Sequence, residues 1–323
     1  MINLSKFIQV YIDSTIITES IEILPIEESV GSVLASIKER LLKWFKAIKE
    51  KIVSFFKRVR EFITKIANIA INQIKRLFSK CKEIANKYSS VKESWTEEEK
   101  KNAVNKDWLT TTLPSKCADA GGFKNLNFDD FFMYHVTSFF NGLRDAALNN
   151  DNDRYNELCK IIDDRLNLSN NSYRLEVVGN NVMVETDMFT DDGCAEMINT
   201  AKDVCNSVIS KATAKFDEGI RKLESAIRSK QDITKEYSAF VQKCINKMSM
   251  ISTHVRDYIM NNIYVNYVYR VQDGARKLAR YKMSKLGASA GDQIADYCNK
   301  GWSLRSMISS LFKSKQKQSP VLA

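Results

Sequence analysis

"LLKWFKAIKEKIVSFFKRVREFITKIANI", residues 41–69, decides the fold class. Apolar residues stand at Leu41, Phe45, Ile48, Ile52, Phe55, Val59, Phe62, Ile66 and Ile69, in alternating steps of four and three. A strand would repeat every second residue, so this spacing predicts a helix with one apolar side. Leu42, Trp44, Phe56, Ile63, Ala70 and Leu77 widen that side. Lys38, Arg40, Lys43, Lys46, Lys49, Lys57, Arg58, Arg60 and Lys65 fill most of the remaining surface. A continuous helix from about residue 32 to 86 would be on the order of 80 Å long, more than most globular cores cover from one side.

The rest of the chain points the same way. With 3 Pro and 11 Gly in 323 residues there are few helix breakers, and 44% hydrophobic residues suffice for one large domain or two ordinary ones. The expected fold class is therefore mainly α: a long basic amphipathic helix plus a helical-bundle domain with one β-hairpin insertion. The net charge of +10 is concentrated in one place. Residues 1–28 hold one Lys against five acids, residues 29–92 hold sixteen Lys or Arg against four Glu, and everything later carries only +2.

Working outward, residues 1–28 form an acidic leader and 29–88 the basic amphipathic helix. Ser, Thr, Pro114 and Gly121-Gly122 mark 89–122 as a linker, in which Thr96 and Glu99 have capping-box spacing. Residues 123–285 read as a helical domain. Its first two helices are joined by the polar turn "NNDND", and two β-branched runs around Gly179-Asn180-Asn181 predict a hairpin near 172–189. Helical periods return from Ala195 to about Lys230 and again from Tyr237 to Tyr258. "YVNYVYRV" (264–271) alternates like a strand but sits between helical patterns, so helix is expected. Residues 286–323 form a basic tail.

No catalytic constellation emerges. His135 and His254 each lie on a predicted helix without a spacing partner, which favours structural roles. The acid pairs Asp129-Asp130, Asp163-Asp164 and Asp191-Asp192 suit helix starts and solvated surface better than a metal site. Seven dispersed cysteines with no C-x-x-C pair suit reduced thiols made in a cytosol. A P-loop, a dinucleotide-binding glycine fingerprint and a nucleophile elbow are all missing, so neither enzyme activity, cofactor nor metal is expected. Gly287 and Gly291 have small-x-x-x-small spacing outside any long apolar segment. No uncharged run reaches the length of a membrane span.

The basic helix is then the feature expected to act. Its cations suit non-specific electrostatic binding of DNA phosphates. Alternatively Trp44, Phe45, Phe55, Phe56 and Phe62 could enter an anionic membrane surface with the cations among the head groups, as in a pore-forming or bilayer-perturbing effector. In the plainest case the apolar face, from Leu41 to Ile66, docks on the second region, on a second copy or on another protein.

The leader "MINLSKFIQVYIDSTIITESIEILPIEE" adds a resemblance. It carries a Phe-Ile pair, Phe7-Ile8, and the tripeptides Ile17-Thr18-Glu19 and Ile26-Glu27-Glu28. In these features it resembles the capsid-targeting propeptides of internal head proteins of T-even-type and larger tailed bacteriophages, which are cut after Ile or Leu, any residue, then Glu. The resemblance covers the leader alone. It implies a virion protein of the head interior, made in the host cytoplasm, packaged beside DNA and cleaved after Glu28 so that Ser29 becomes the first residue. Pro25 disfavours helix at Leu24, which keeps this stretch accessible. Cleavage would remove a net −4 and leave a body of +14.

Overall fold

The long apolar stripe forms one helix, α1 (Val33–Tyr88), of 56 residues. In a computed structural model, residues 33–88, 96, 98, 110–114, 134–166, 179–183, 187–230 and 233–301 are described. After α1 come β1 (Thr110–Pro114), α2 (Tyr134–Asn149), α3 (Asn152–Leu166), β2 (Gly179–Met183), a short 3-10 turn (Asp187–Phe189), α4 (Asp191–Ser229) and α5 (Lys235–Asp257). A π-helix (Tyr258–Val265), α6 (Asn266–Ser284) and α7 (Ala288–Gly301) complete the order. The chain is mainly α, and "YVNYVYRV" is helical throughout.

The expected local hairpin is corrected. Gly179–Met183, which includes its anticipated turn, is itself a strand, and it pairs antiparallel with Thr110–Pro114 from the segment read as linker. Thr110 faces Met183 and Pro114 faces Gly179. Pro114 and Gly179 sit together at the end of the ladder, where a missing N–H and a missing side chain cost least. The flanking residues 172–178 and 184–186 lie outside the described ones, as do the leader, most of the linker, residues 123–133 and, of the stretch 286–323 read as a tail, residues 302–323, whereas its earlier part forms α7.

The chain divides into two compact units, each drawn from three separate stretches. The first comprises Met1–Ile63, Asn127–Leu175 and Val204–Tyr264. In it the first half of α1 lies along the second half of α4. Phe216 of α4 sits between Phe56 of α1, with ring centroids 5.4 Å apart, and Phe140 of α2, at 5.0 Å. All three rings are buried. Gly219 lets α4 approach this closely, since a Cβ there would stand 2.7 Å from the Phe140 ring. Lys38 Nζ donates to the carbonyls of Arg228 and Lys230 at 2.9 and 2.8 Å, satisfying acceptors left over at the C-terminal end of α4.

Helix ends in this unit follow local chemistry. Asn150 adopts a left-handed φ of 55° and the Asp151 N–H donates back to Ala146 O, which closes α2 in the turn expected at "NNDND". Asp151 Oδ1 accepts the Arg154 N–H at 2.8 Å and so caps α3. Thr234 Oγ1 does the same for α5 through Tyr237 N–H. Tyr264, fully buried, donates its hydroxyl to Ile63 O of α1 at 2.9 Å.

The second unit comprises Thr64–Leu126, Glu176–Asp203 and Val265–Ala323. Ile74, Leu77 and Ile84 of α1 are buried in its core, as are Met197 and Ile198 of α4, Val271 and Leu278 of α6 and Ile294 of α7. Gln272 Nε2 donates to Gln73 Oε1 at 3.1 Å, tying α6 to α1. Phe189 is buried against Gly274 of α6, a close approach that any side chain there would block. Thr190 Oγ1 caps α4 by accepting the Gly193 N–H, so Asp191 and Asp192 lie in a first helical turn, where carboxylates are favoured. The glycine pair also finds its use: Gly287 takes a φ of 135° in the turn between α6 and α7, and Gly291 faces Ser284 across it.

Candidate nucleic-acid interface

An amphipathic helix tied down along one side must present the other to solvent. With Ala67 and Phe78 beside it, the buried line of α1 runs through Leu41, Phe45, Ile48, Ile52, Phe56, Val59, Ile63, Ile66, Ala70, Ile74, Leu77, Cys81 and Ile84. The steps between these residues average about 3.6, the period of a straight helix, whereas the four-three alternation averages 3.5. The buried line therefore moves off the alternating positions. Trp44, Phe55 and Phe62 are left half-buried, and the guanidinium of the buried Arg256 lies 5.7 Å from the Phe55 ring. Thus most of the apolar face named from the sequence is buried within the protein, with Trp44, Phe55 and Phe62 at its flank.

The opposite side is cationic. α1 carries fifteen Lys or Arg against four Glu. Of the cations singled out above, Lys43, Lys46, Lys57, Arg60 and Lys65 are exposed, while Lys38, Arg40, Lys49 and Arg58 are half-buried. Two of these are engaged inside the first unit: Lys38 on the end of α4, and Lys49 with Asp217 at 2.8 Å. Lys51, Lys75, Arg76 and Lys82 are also exposed and were not among the cations expected to act. Their signal is present in the sequence, since the last three continue the same turns beyond Lys65.

Acidic neighbours are uneven along this side. Glu50 and Glu61 are exposed next to the cations of the first half. From Phe62 to Lys82 α1 has no acid, and Lys65, Lys75, Arg76 and Lys82 are all exposed there. Among the described residues, none of these four side chains makes an ion pair or hydrogen bond. Glu83 then takes Lys80 at 2.8 Å and Lys87 at 3.5 Å, and these cations hold its carboxyl below the usual range. Solvated cations on one side of a helix can each meet a phosphate with little cost in desolvation. The proposed scissile residues Ile26, Glu28 and Ser29 lie outside the described residues.

The residues that could have carried other chemistry are otherwise engaged. His254 of α5 is half-buried near Asp163, Lys247 and Arg256, and burial lowers its pKa. Asp163 holds the buried amine of Lys247 at 2.5 Å, which joins α3 to α5. His135 packs edge-on against Tyr134 at 5.4 Å. Cys81, Cys159, Cys194, Cys205, Cys244 and Cys298 are free thiols, and burial pushes Cys81 up to about 12, far from thiolate chemistry at neutral pH. Among the described residues no group of His, Cys, Asp and Glu could hold a metal ion, and no helix is long and apolar enough to cross a membrane. Comparisons with protein-family models, with curated proteins and with solved structures find no match to this chain.

Proposed function

We propose that the chain is a non-enzymatic structural protein of a bacteriophage head interior, packaged with DNA by means of a cleavable leader. Its DNA contact is the outward side of α1. The observation that carries this reading is the acid-free run from Phe62 to Lys82, where four exposed cations have no partner among the described residues. A helix that needed these charges only for solubility would gain by interspersing acids, as its first half does. The burial of Phe45 and Phe56 weighs against the membrane-active alternative, because inserting the stripe into lipid would require opening the first unit.

The leader supplies the packaging half of the proposal. Removing residues 1–28 takes away five acids and raises the charge next to DNA at the time of assembly. N-terminal sequencing of the protein recovered from purified particles should begin at Ser29. An intact Met1 in mature particles would sink the propeptide reading, and absence of the protein from particles would sink the virion assignment as well.

A further inference from the structure

We propose that the outward side of α6 is a second nucleic-acid contact, one that grips backbone phosphates with arginines positioned by a tyrosine ring. Within two turns of α6 stand Tyr269, Arg270, Asp273, Arg276 and Lys277, all half-buried. The guanidinium groups of Arg270 and Arg276 lie 5.9 and 5.8 Å from the centroid of the Tyr269 ring. Asp273 takes Arg276 at 3.2 Å through one carboxylate oxygen and Lys277 at 3.3 Å through the other. One carboxylate thus holds two cations, and with Arg270 the cluster sets three cations against that one acid.

The arrangement differs in kind from the outward side of α1. Solvated lysines on α1 must each lose rotamer freedom when they meet a phosphate. Arg270 and Arg276 have given up part of that freedom already, through the ring and, for Arg276, the carboxylate, so binding costs them less. A planar guanidinium can also give two parallel hydrogen bonds to one phosphate, which an ammonium cannot. α6 as a whole carries five Lys or Arg against one Asp. Just past its C-terminal end the pairing of cation and ring recurs, with Lys285 Nζ 4.0 Å from the centroid of Tyr281. Neither the spacing nor the charge of α6 stands out in the sequence, because its cations are fewer and its tyrosines sit among apolar neighbours. The proposal rests on the reading of the chain as a nucleic-acid binder, but not on α1 being the contact.

The test uses the full chain and a fluorescent DNA duplex of about 20 base pairs, titrated from about 0.05 to 0.2 M NaCl. R270Q/R276Q should reduce the slope of log affinity against log salt by about 2, close to one for each phosphate no longer neutralised. R270K/R276K, which keeps the charges and removes the planar forks, should keep the slope and bind several-fold more weakly. A control, K160Q/K243Q, removes two exposed cations of the first unit and should leave binding unchanged. Circular dichroism verifies that each variant keeps its helix content. A wild-type slope and affinity in R270Q/R276Q, or an equal loss in the control, overturns the proposal. K65Q/K75Q/R76Q/K82Q, measured alongside, separates the two surfaces: unchanged binding in that variant defeats the α1 reading and leaves the α6 one standing.

Discussion

His254 shows how a single residue sets a condition on stability. Burial chiefly disfavours its imidazolium, Lys247 and Arg256 add to this with their positive charge, and the Asp163 carboxylate opposes it in part. Its pKa in the folded protein is therefore below that of the unfolded chain, so the unfolded chain takes up the proton first as pH falls. Stability should be full above about 6.5 and decline as pH drops from there through the lower folded value. The urea midpoint of the wild type should fall between about pH 7.5 and 5 more than that of His254→Gln. An equal fall in both proteins would mean that other groups govern the acid limb. Gly219 gives a second residue-scale expectation: Gly219→Ala should cost about 1–3 kcal/mol, because the new methyl meets the Phe140 ring and the ring has Phe216 behind it. A thermal midpoint equal to the wild type would contradict that packing. Neither effect could be read from sequence. His254 and Gly219 occupy ordinary helical positions, and their neighbours come from other helices.

At the scale of elements, α1 explains both what the sequence revealed and where it misled. The apolar stripe announced a helix because its period is local, requiring no knowledge of partners. Which aromatics are central to the stripe depended on a difference of about a tenth of a residue per turn, which accumulates over many turns. Phe56 accordingly is buried against Phe216 while Phe62 is half-buried at the flank. Phe56→Ala should cost about 3–5 kcal/mol in chemical denaturation and Phe62→Ala clearly less. Equal costs would restore the alternating seam. The strands misled for the opposite reason. A turn signal such as Gly-Asn-Asn is local, but the partner of Gly179–Met183 lies at Thr110–Pro114, too far along the chain for any turn pattern to indicate.

At the scale of the whole molecule, each of the two units draws on three separated stretches of chain, so residues that share a core are often far apart in sequence. Composition and charge could place the basic character in one segment. They could not indicate which of its cations would be engaged internally, as Lys38 and Lys49 are, and which would be left facing solvent. The tyrosine-positioned arginines of α6 likewise arise from geometry within one helix that no charge run announces. The central claim is that the solvent side of α1 binds DNA through Lys65, Lys75, Arg76 and Lys82. The most direct measurement is the salt dependence of duplex affinity for the wild type against K65Q/K75Q/R76Q/K82Q. With about 0.9 counterions released per neutralised phosphate, the slope should fall by roughly 3 to 4 while helix content stays the same. A variant that binds DNA with the wild-type slope would contradict the account.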